Sequence, residues 1–418
     1  MTRPRTLLWV VCAISMMSTI GMAMPYPILA PIFVQGAVDG FTHFMGLPPK
    51  LLMGIALAAN PLGILIGSLF IGPLSDRHGR RRTLLWTLSL TVLSSLLGAW
   101  ALDQRWYALF VGARFLTGLT EGNLAVARAV LADLHPVLDR TRSFAWLNAS
   151  NYAGWLLGPL LGGLTLPLGE PVPFVLAGLA LLPCLLVIWL ALPETHARSA
   201  AAPVGLMQQA MQHQALGLLR QDRLLARLFA LQLAYTLGLT TCYEFYPLWL
   251  LENAGLGSLG IAWVTAGLCL VMSLASVLVG RFDALSTRGH ALQRASACAL
   301  TAAAGLLGLA LLPGMAGLLV IIAMGLPLAL YNAVLPAWVS ERFAHHGQGR
   351  VMGLLTVIFY LANVVTALVG GALSLLDTRW IMAVGGACSL WAAWSLLRLA
   401  RDVPTSPIHS TAAAASNA

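Results

Sequence analysis

Charge is what this chain has little of. Asp, Glu, Lys and Arg together make up 9% of its 418 residues, against about 25% in a soluble domain, too few to cover a globule of this size. Lysine is nearly missing, with Lys50 standing alone. The six cysteines (Cys12, Cys184, Cys242, Cys269, Cys298 and Cys388) all fall in apolar stretches, with no metal-ligand spacing and no disulfide framework. The nine histidines lie in expected loops or at helix ends, so no buried His metal site is expected. No P-loop is present, which excludes direct nucleotide drive. No His-Glu-x-x-His, paired carboxylates or nucleophile elbow argues for an enzyme, and no soluble output domain argues for a sensor. No cofactor or metal is expected.

Hydrophobic residues, at 59%, are what is there, and the mean hydropathy is +0.82. Such a chain needs a bilayer as its solvent. Uncharged intervals run over 6–38, 51–75, 83–102, 143–169, 171–193, 253–280, 295–340 and 351–376. Most match the roughly 20 apolar residues of a spanning helix. The interval 295–340 is two helices long and is broken by Pro313-Gly314. Segments near 106–132, 226–250 and 379–399 bring the expected total to twelve. All are apolar around their circumference, so no soluble amphipathic bundle fits.

Arginine sets the orientation. With the N-terminus inside, the inner segments collect nearly all the basic residues, and the opposite side holds only Lys50, Arg105 and Arg379. The positive-inside rule then places both termini in the cytoplasm, and the net charge of +9 is a topology signal that calls for no nucleic acid. Arg3 and Arg5 before an apolar run mimic a signal peptide. The run continues to Phe33, too far for one, so it reads as an uncleaved first helix.

A shift of 208 residues lays Gly72 on Gly280, Arg142 on Arg350, Tyr152 on Tyr360, Gly162-Gly163 on Gly370-Gly371 and Asp133 on Glu341. With a slightly different shift, Tyr26-Pro27 falls on Tyr246-Pro247. Two related six-helix bundles follow, at 1–193 and 225–400, joined by a cytoplasmic linker at 194–224 and followed by a tail at 401–418. Repeats of this kind build many transporters, with the substrate site at their interface near the midplane.

Between the second and third spans stands Gly72-Pro-Leu-Ser-Asp76-Arg77-His-Gly79-Arg80-Arg81-Arg82. Gly72 permits a close helix approach, Gly79 a tight turn, and the Arg row faces the anionic leaflet. The string resembles motif A of the major facilitator superfamily, and the resemblance covers essentially the whole chain. It implies a cytoplasmic latch in which Asp76 docks on the start of the eleventh helix and Arg80 pairs with Asp133. The second half carries a degraded copy, Gly280-Arg281-Phe-Asp283 with Arg288-Gly289, so a second latch is not implied.

The fourth span holds Arg114 and Glu121, seven apart and so on one helix face. Lipid exposure of either would cost roughly 3 kcal/mol or more. They should face the interior, as a buried ion pair or on a transport pathway. Arg114-x-x-x-Gly118 resembles motif B, whose Arg is linked to proton coupling. The fifth span contains Gly154, Gly158, Pro159, Gly162 and Gly163. Small residues at this spacing pack helices closely. The string resembles motif C, typical of the superfamily's proton-coupled exporters, and implies a hinge and seam. Pro25, Pro27 and Pro31 match the Pro-rich first helix of the same exporters. The acid that many of them carry there is missing, which leaves Glu121 as the proton carrier and Glu244 as a second candidate. Glu244 lies toward the outer third of its helix, where a hydrated interfacial acid is also a fair reading.

Candidate substrate contacts near the midplane are Tyr26, Asn123, Asn148, Asn151, Tyr152, Gln232, Tyr235, Tyr331, Asn332, Tyr360 and Asn363. Isolated Asn and Tyr also pack helices. This mixture of aromatics and amides suits an amphipathic organic molecule better than an inorganic ion. The sequence therefore implies an all-α secondary transporter, monomeric in a bacterial inner membrane, that exchanges protons for a drug-like compound, siderophore or other metabolite. A proton-linked importer or facilitator, and a lysolipid flippase, are the alternatives on the same fold.

Overall fold

A computed structural model describes residues 4–121, 126–127, 130–131, 140–192, 194, 217–281, 290–312, 314–343 and 348–402. No strand occurs among the described residues. The first half contains α1 (Pro4–Ala23), α2 (Tyr26–Val34), α3 (Pro49–His78), α4 (Arg80–Asp103), α5 (Tyr107–Thr120), α6 (Arg140–Thr165), α7 (Val172–Leu179) and α8 (Leu182–Ala191). A short α9 (Leu218–Gln221) precedes the second half. That half comprises α10 (Arg223–Ala254), α11 (Ser258–Arg281), α12 (Ala291–Leu311), α13 (Gly314–Arg342), α14 (Gln348–Leu373) and α15 (Thr378–Asp402).

Ten helical segments among the described residues are long and apolar enough to cross a membrane, with α1–α2 and α7–α8 each counting as one. The other two expected spans coincide with α5, a shorter apolar helix, and with the 26-residue α6. Both broken spans have a proline cause. Pro25 and Pro27 lack the N–H groups that would continue α1, and Pro183 cannot bond the carbonyl of Leu179 where α7 stops. The break expected at Pro313-Gly314 falls between α12 and α13. α10 starts at an Asp222 cap, whose carboxylate accepts from the amides of Leu224 (2.8 Å) and Leu225 (3.1 Å). It ends at Gly255 in the left-handed region, φ +65°.

The shift of 208 residues carries α6 onto α14, end to end. The halves meet through two related pairs, α3 with α14 and α6 with α11. Exposed tryptophans mark two belts. Trp9, Trp86 and Trp189 lie near the arginine-rich end, and Trp100, Trp106 and Trp380 near the opposite one. Such girdles sit at headgroup level.

At the arginine-poor end, Asp39 organises the loop before α3. Its carboxylate accepts from the amides of Phe41 (2.8 Å) and Thr42 (2.9 Å), and Arg105 joins it to Glu170. Burial raises this carboxyl, but the two amides and Arg105 outweigh that, so it titrates below the usual carboxylate range.

Within the first half, α3 and α5 touch backbone to backbone. A Cβ on Gly118 would lie 2.1 Å from the Asn60 carbonyl oxygen, and one on Gly63 would lie 2.3 Å from that of Phe115. Gly118→Leu should therefore force the helices apart and cost at least about 1–3 kcal/mol. Gly112 has nothing within 4 Å of its Cβ position among the described residues. Thermal unfolding in detergent should show a lowered Tm for Gly118→Leu and an unchanged Tm for Gly112→Ala.

Candidate functional site

The close contact of α3 and α5 builds the site. Their chains run side by side, so Ala56 meets Arg114 and Asn60 reaches Glu121. The Arg114 guanidinium is buried, and its Nε donates to the Ala56 carbonyl at 2.9 Å. The Asn60 Nδ2 donates to the Glu121 Oε2 at 3.0 Å. Arg114 and Glu121 do not form a direct ion pair among the described residues. Instead both line one cavity inside the first half, together with Asn60, Thr117, Ser94 and Ser95. Arg114 stays charged, and the neutral Asn60 amide can meet Glu121 whether or not it carries a proton.

Tyr26, at the start of α2, is the electrostatic junction between the halves. It lies within reach of Glu121 and Arg114 on its own side, and of Glu244 and Tyr360 across the seam. Its ring packs on Trp155, centroids 5.6 Å apart. Glu244 is 3% exposed, and neither carboxylate oxygen has a hydrogen-bond partner among the described residues. The hydrated interfacial acid that its place in the sequence allowed is therefore not what the fold makes of it.

The remaining candidates separate into groups. Asn151 accepts from Ser15 (2.7 Å) and Thr19 (3.0 Å), and so fastens α6 to α1. Tyr235 and Tyr331 stack with centroids 3.4 Å apart, and the Tyr331 hydroxyl donates to Gln232 Oε1 at 2.9 Å. Asn363 donates back to the Phe359 carbonyl of its own helix, 2.7 Å away, and Tyr360 packs edge-on to Phe359. Asn332 is exposed on α13. Asn123, and the side chains of Asn148 and Tyr152, lie outside the described residues.

At the arginine-rich end, Gly79 takes φ +94° to turn from α3 into α4. The Glu194 carboxylate sits where a Gly79 side chain would stand, and its Oε1 accepts from the Arg80 amide at 2.6 Å. The Arg80 guanidinium bonds Asp76 (2.5 Å) and Ser75 (3.0 Å), and Arg77 is exposed. Asp133, the expected partner of Arg80, lies outside the described residues. Gly72 has nothing within 4 Å of its Cβ position among the described residues.

The glycines of α6 divide by face. Added Cβ atoms on Gly154, Gly158 and Gly162 would collide with Thr19, Ala23 and Met24. Gly163 turns to the other half, its Cβ position 2.3 Å from the Ala262 side chain of α11. Pro159 bends no break into the helix, which runs through from Arg140 to Thr165. On the α3–α14 pair, Gly54 approaches the Ala367 carbonyl and the Gly371 backbone. Beside it the Lys50 ammonium bridges the Glu252 carboxylate (2.6 Å) and the Ser374 carbonyl (2.9 Å). Glu252 also accepts from the Thr378 hydroxyl. These contacts all lie toward the arginine-poor ends of their helices, so the halves are clamped together there.

This fold and the geometry of its site can be set beside known proteins. The Major Facilitator Superfamily matches residues 7–326. The chain belongs to that superfamily. The class B tetracycline resistance protein of Escherichia coli is 31% identical over 184 residues, 44% of this chain and 43% of that protein. The class H protein of Pasteurella multocida is 28% identical over 193 residues, 46% and 45% of the two chains. Major facilitator superfamily domain-containing protein 10 of Homo sapiens is 34% identical over 179 residues, 40% and 37%. Each alignment thus spans less than half of the relative's length. Among solved structures, the human organic anion transporter MFSD10 (TETRAN) superposes with a TM-score of 0.68 at 23% identity, covering 94% of this chain and 100% of that one. A D-xylose-proton symporter gives 0.71 at 16% identity, covering 94% and 97%. At these identities the likeness establishes the fold, which is that of membrane transporters.

On this superfamily scaffold, three residues stand out that the sequence pattern did not single out. Asn60 is the lone amide in an otherwise apolar span, Glu194 the first acid after the sixth span, and Glu252 the acid that ends the charged stretch before 253–280. Each was visible as an exception in its interval, but its partner was not. The Lys50–Glu252 clamp yields a direct expectation. In a background lacking the native cysteines, a cysteine replacing the buried Ser374 should react slowly with a membrane-impermeant maleimide. Adding Lys50→Ala should raise that rate several-fold, and an unchanged rate would show that the ion pair does not hold this end closed.

Proposed function

We propose that the protein is a proton-driven antiporter that exports an amphipathic organic molecule by alternating access, with Glu121 as the group whose protonation is coupled to transport. The observation that carries this reading is the placement of Glu121. It is an acid at mid-depth in the membrane, held by the neutral Asn60 amide, in the field of a buried Arg114, and electrostatically joined through Tyr26 to the opposite half. Intramembrane ionisable groups of this kind mark pathways far more often than they serve packing. A proton and a substrate alternate on one carrier when each favours a different protonation state of one site.

Support for export comes from the glycine face of α6, which resembles the exporter motif, and from relatives named as tetracycline resistance proteins. Support for an amphipathic substrate comes from the aromatic and amide groups near the seam. They join an apolar recess between α10, α13 and α14 whose one polar lining residue is Gln232. On the positive-inside rule the arginine-rich end is cytoplasmic, and the Lys50–Glu252 clamp then closes the outer entrance. A bacterial inner membrane and a monomeric carrier complete the reading.

Proteoliposomes with an imposed pH gradient and a trapped pH dye test it. A panel of amphipathic substrates added to the wild-type protein should trigger proton flux, and Glu121→Gln should reduce that flux to the level of empty vesicles. Undiminished flux in the variant would remove Glu121 from the coupling and direct attention to Glu244. Substrate movement without any proton flux would favour a facilitator or flippase.

A further inference from the structure

The cavity beside Glu121 lies wholly within the first half. Its lining comes from α1, α3, α4, α5 and α7 and the turn at Pro25, with no residue from the second half among the described residues. The space open to the centre of a water molecule is about 20 Å³. A water needs about 10–15 Å³ by the same measure, and two to four polar partners. Both conditions are met. Among the described residues, Arg114 commits Nε to Ala56, and its other donors have no protein partner. Glu121 commits Oε2 to Asn60, and its second oxygen has none. Ser95 of α4 and Thr117 of α5 add polar groups to the lining. Buried charged groups with unmet donors and acceptors, in a polar space of this size, are what bound water satisfies. Toward the arginine-poor end the space stops at Phe174, which packs edge-on to Phe110 at 5.3 Å.

We propose that this cavity is a water-binding site, and that the water held there exchanges the proton of Glu121 on the side of α5 turned away from the seam. The Glu121 carboxylic acid gives its proton to the bound water, and the resulting hydronium passes one of its protons onward. The carboxylate left behind is met by the Asn60 amide and the Arg114 charge. Proton and substrate then approach Glu121 from different sides. The water site stands on geometry alone, whereas its role in proton exchange rests on the coupling function proposed for Glu121.

Met22 lines the cavity and reports on water directly. Microsecond X-ray pulses convert bound water to hydroxyl radicals, which oxidise neighbouring methionine sulfur. In the full-length protein in nanodiscs, Met22 should be oxidised several-fold faster than the buried Met53 and Met382. Gly98→Leu should fill the space, since a Cβ at Gly98 meets only Ala113, at 3.6 Å. It should bring Met22 down to the rate of those controls and slow substrate-triggered proton release several-fold, with substrate affinity retained. Gly98→Ala, which adds one methyl, should give a smaller change in the same direction and serves if the Leu variant does not fold. Met22 oxidation equal to the controls in the wild-type protein, or unchanged by filling, overturns the water site. Slower oxidation with an unchanged release rate overturns its role in proton exchange. If Glu121→Gln leaves proton flux intact, the coupling function fails by itself, while Met22 still decides the water site.

Discussion

The contact between α3 and α5 is the constraint on which the rest of the site depends. A guanidinium and a carboxyl at mid-depth in a bilayer must be met by protein or by confined water, because hydrocarbon offers nothing. Here they are met because two helix backbones touch. Gly63, Gly67 and Gly118 carry no Cβ where one would strike the Phe115, Leu119 and Asn60 carbonyls. That approach puts the Ala56 carbonyl under Arg114 and the Asn60 amide against Glu121. Larger residues at the glycines would move the helices apart by more than a hydrogen bond can stretch. Both ionisable groups would lose their partners together, so packing and electrostatics are one feature here.

The same device is used differently between the halves. Three glycines of α6 pack it on α1 and on Met24 just after it, within one half, and among the α6 glycines of that motif Gly163 reaches α11. An extended glycine seam gives a permanent contact, since dispersion grows with every atom pair. A single close approach gives one that can open. The α3–α14 pair is a more extensive contact, with Gly54 and Gly371 touching toward its arginine-poor end. There the Lys50–Glu252 pair adds a charge contact whose side chains are each one-quarter exposed. An ion pair with that much access to solvent contributes modestly and is readily exchanged for hydration.

The fold was legible in the sequence because a bilayer leaves so few solutions. Uncharged intervals, arginine asymmetry and the 208-residue register each report a single physical requirement that acts over many residues. The repeat's register is met end to end by α6 and α14. The site was legible only in part. Glu121 and Arg114 stood out because ionisable residues are rare in spans, and Glu194 and Asn60 did not, because their meaning lies in partners more than 60 residues away. Gly72 has no neighbour at its Cβ position among the described residues, so its place in the motif is what marks it. For Glu244 the sequence left two readings open, and its burial favours the interior one, since an acid near a helix end is hydrated only if its own face reaches water.

The asymmetry of charge between the halves bears on how coupling works. The first half holds Arg114, Glu121 and the polar cavity, whereas the 208-residue shift places Ile322 and Ala329 at the matching positions. In the proposed mechanism the proton site therefore lies in one bundle, and the seam carries mainly aromatic, amide and apolar groups, with Glu244 the acid nearest Tyr26. A ligand shifts a two-state equilibrium only by its differential affinity for the states. If the proton site is inside one bundle, the change in its surroundings between states must come from what crosses the seam to reach it. Tyr26 is the side chain in that position, touching Trp155 on one side and feeling Glu121 and Glu244 on the other. Opening the halves at the arginine-poor end would carry Glu244 away from Tyr26 without disturbing Asn60 or Ala56. Glu121 would keep its Asn60 partner through such a motion, with no strain on the helix pair that holds the site.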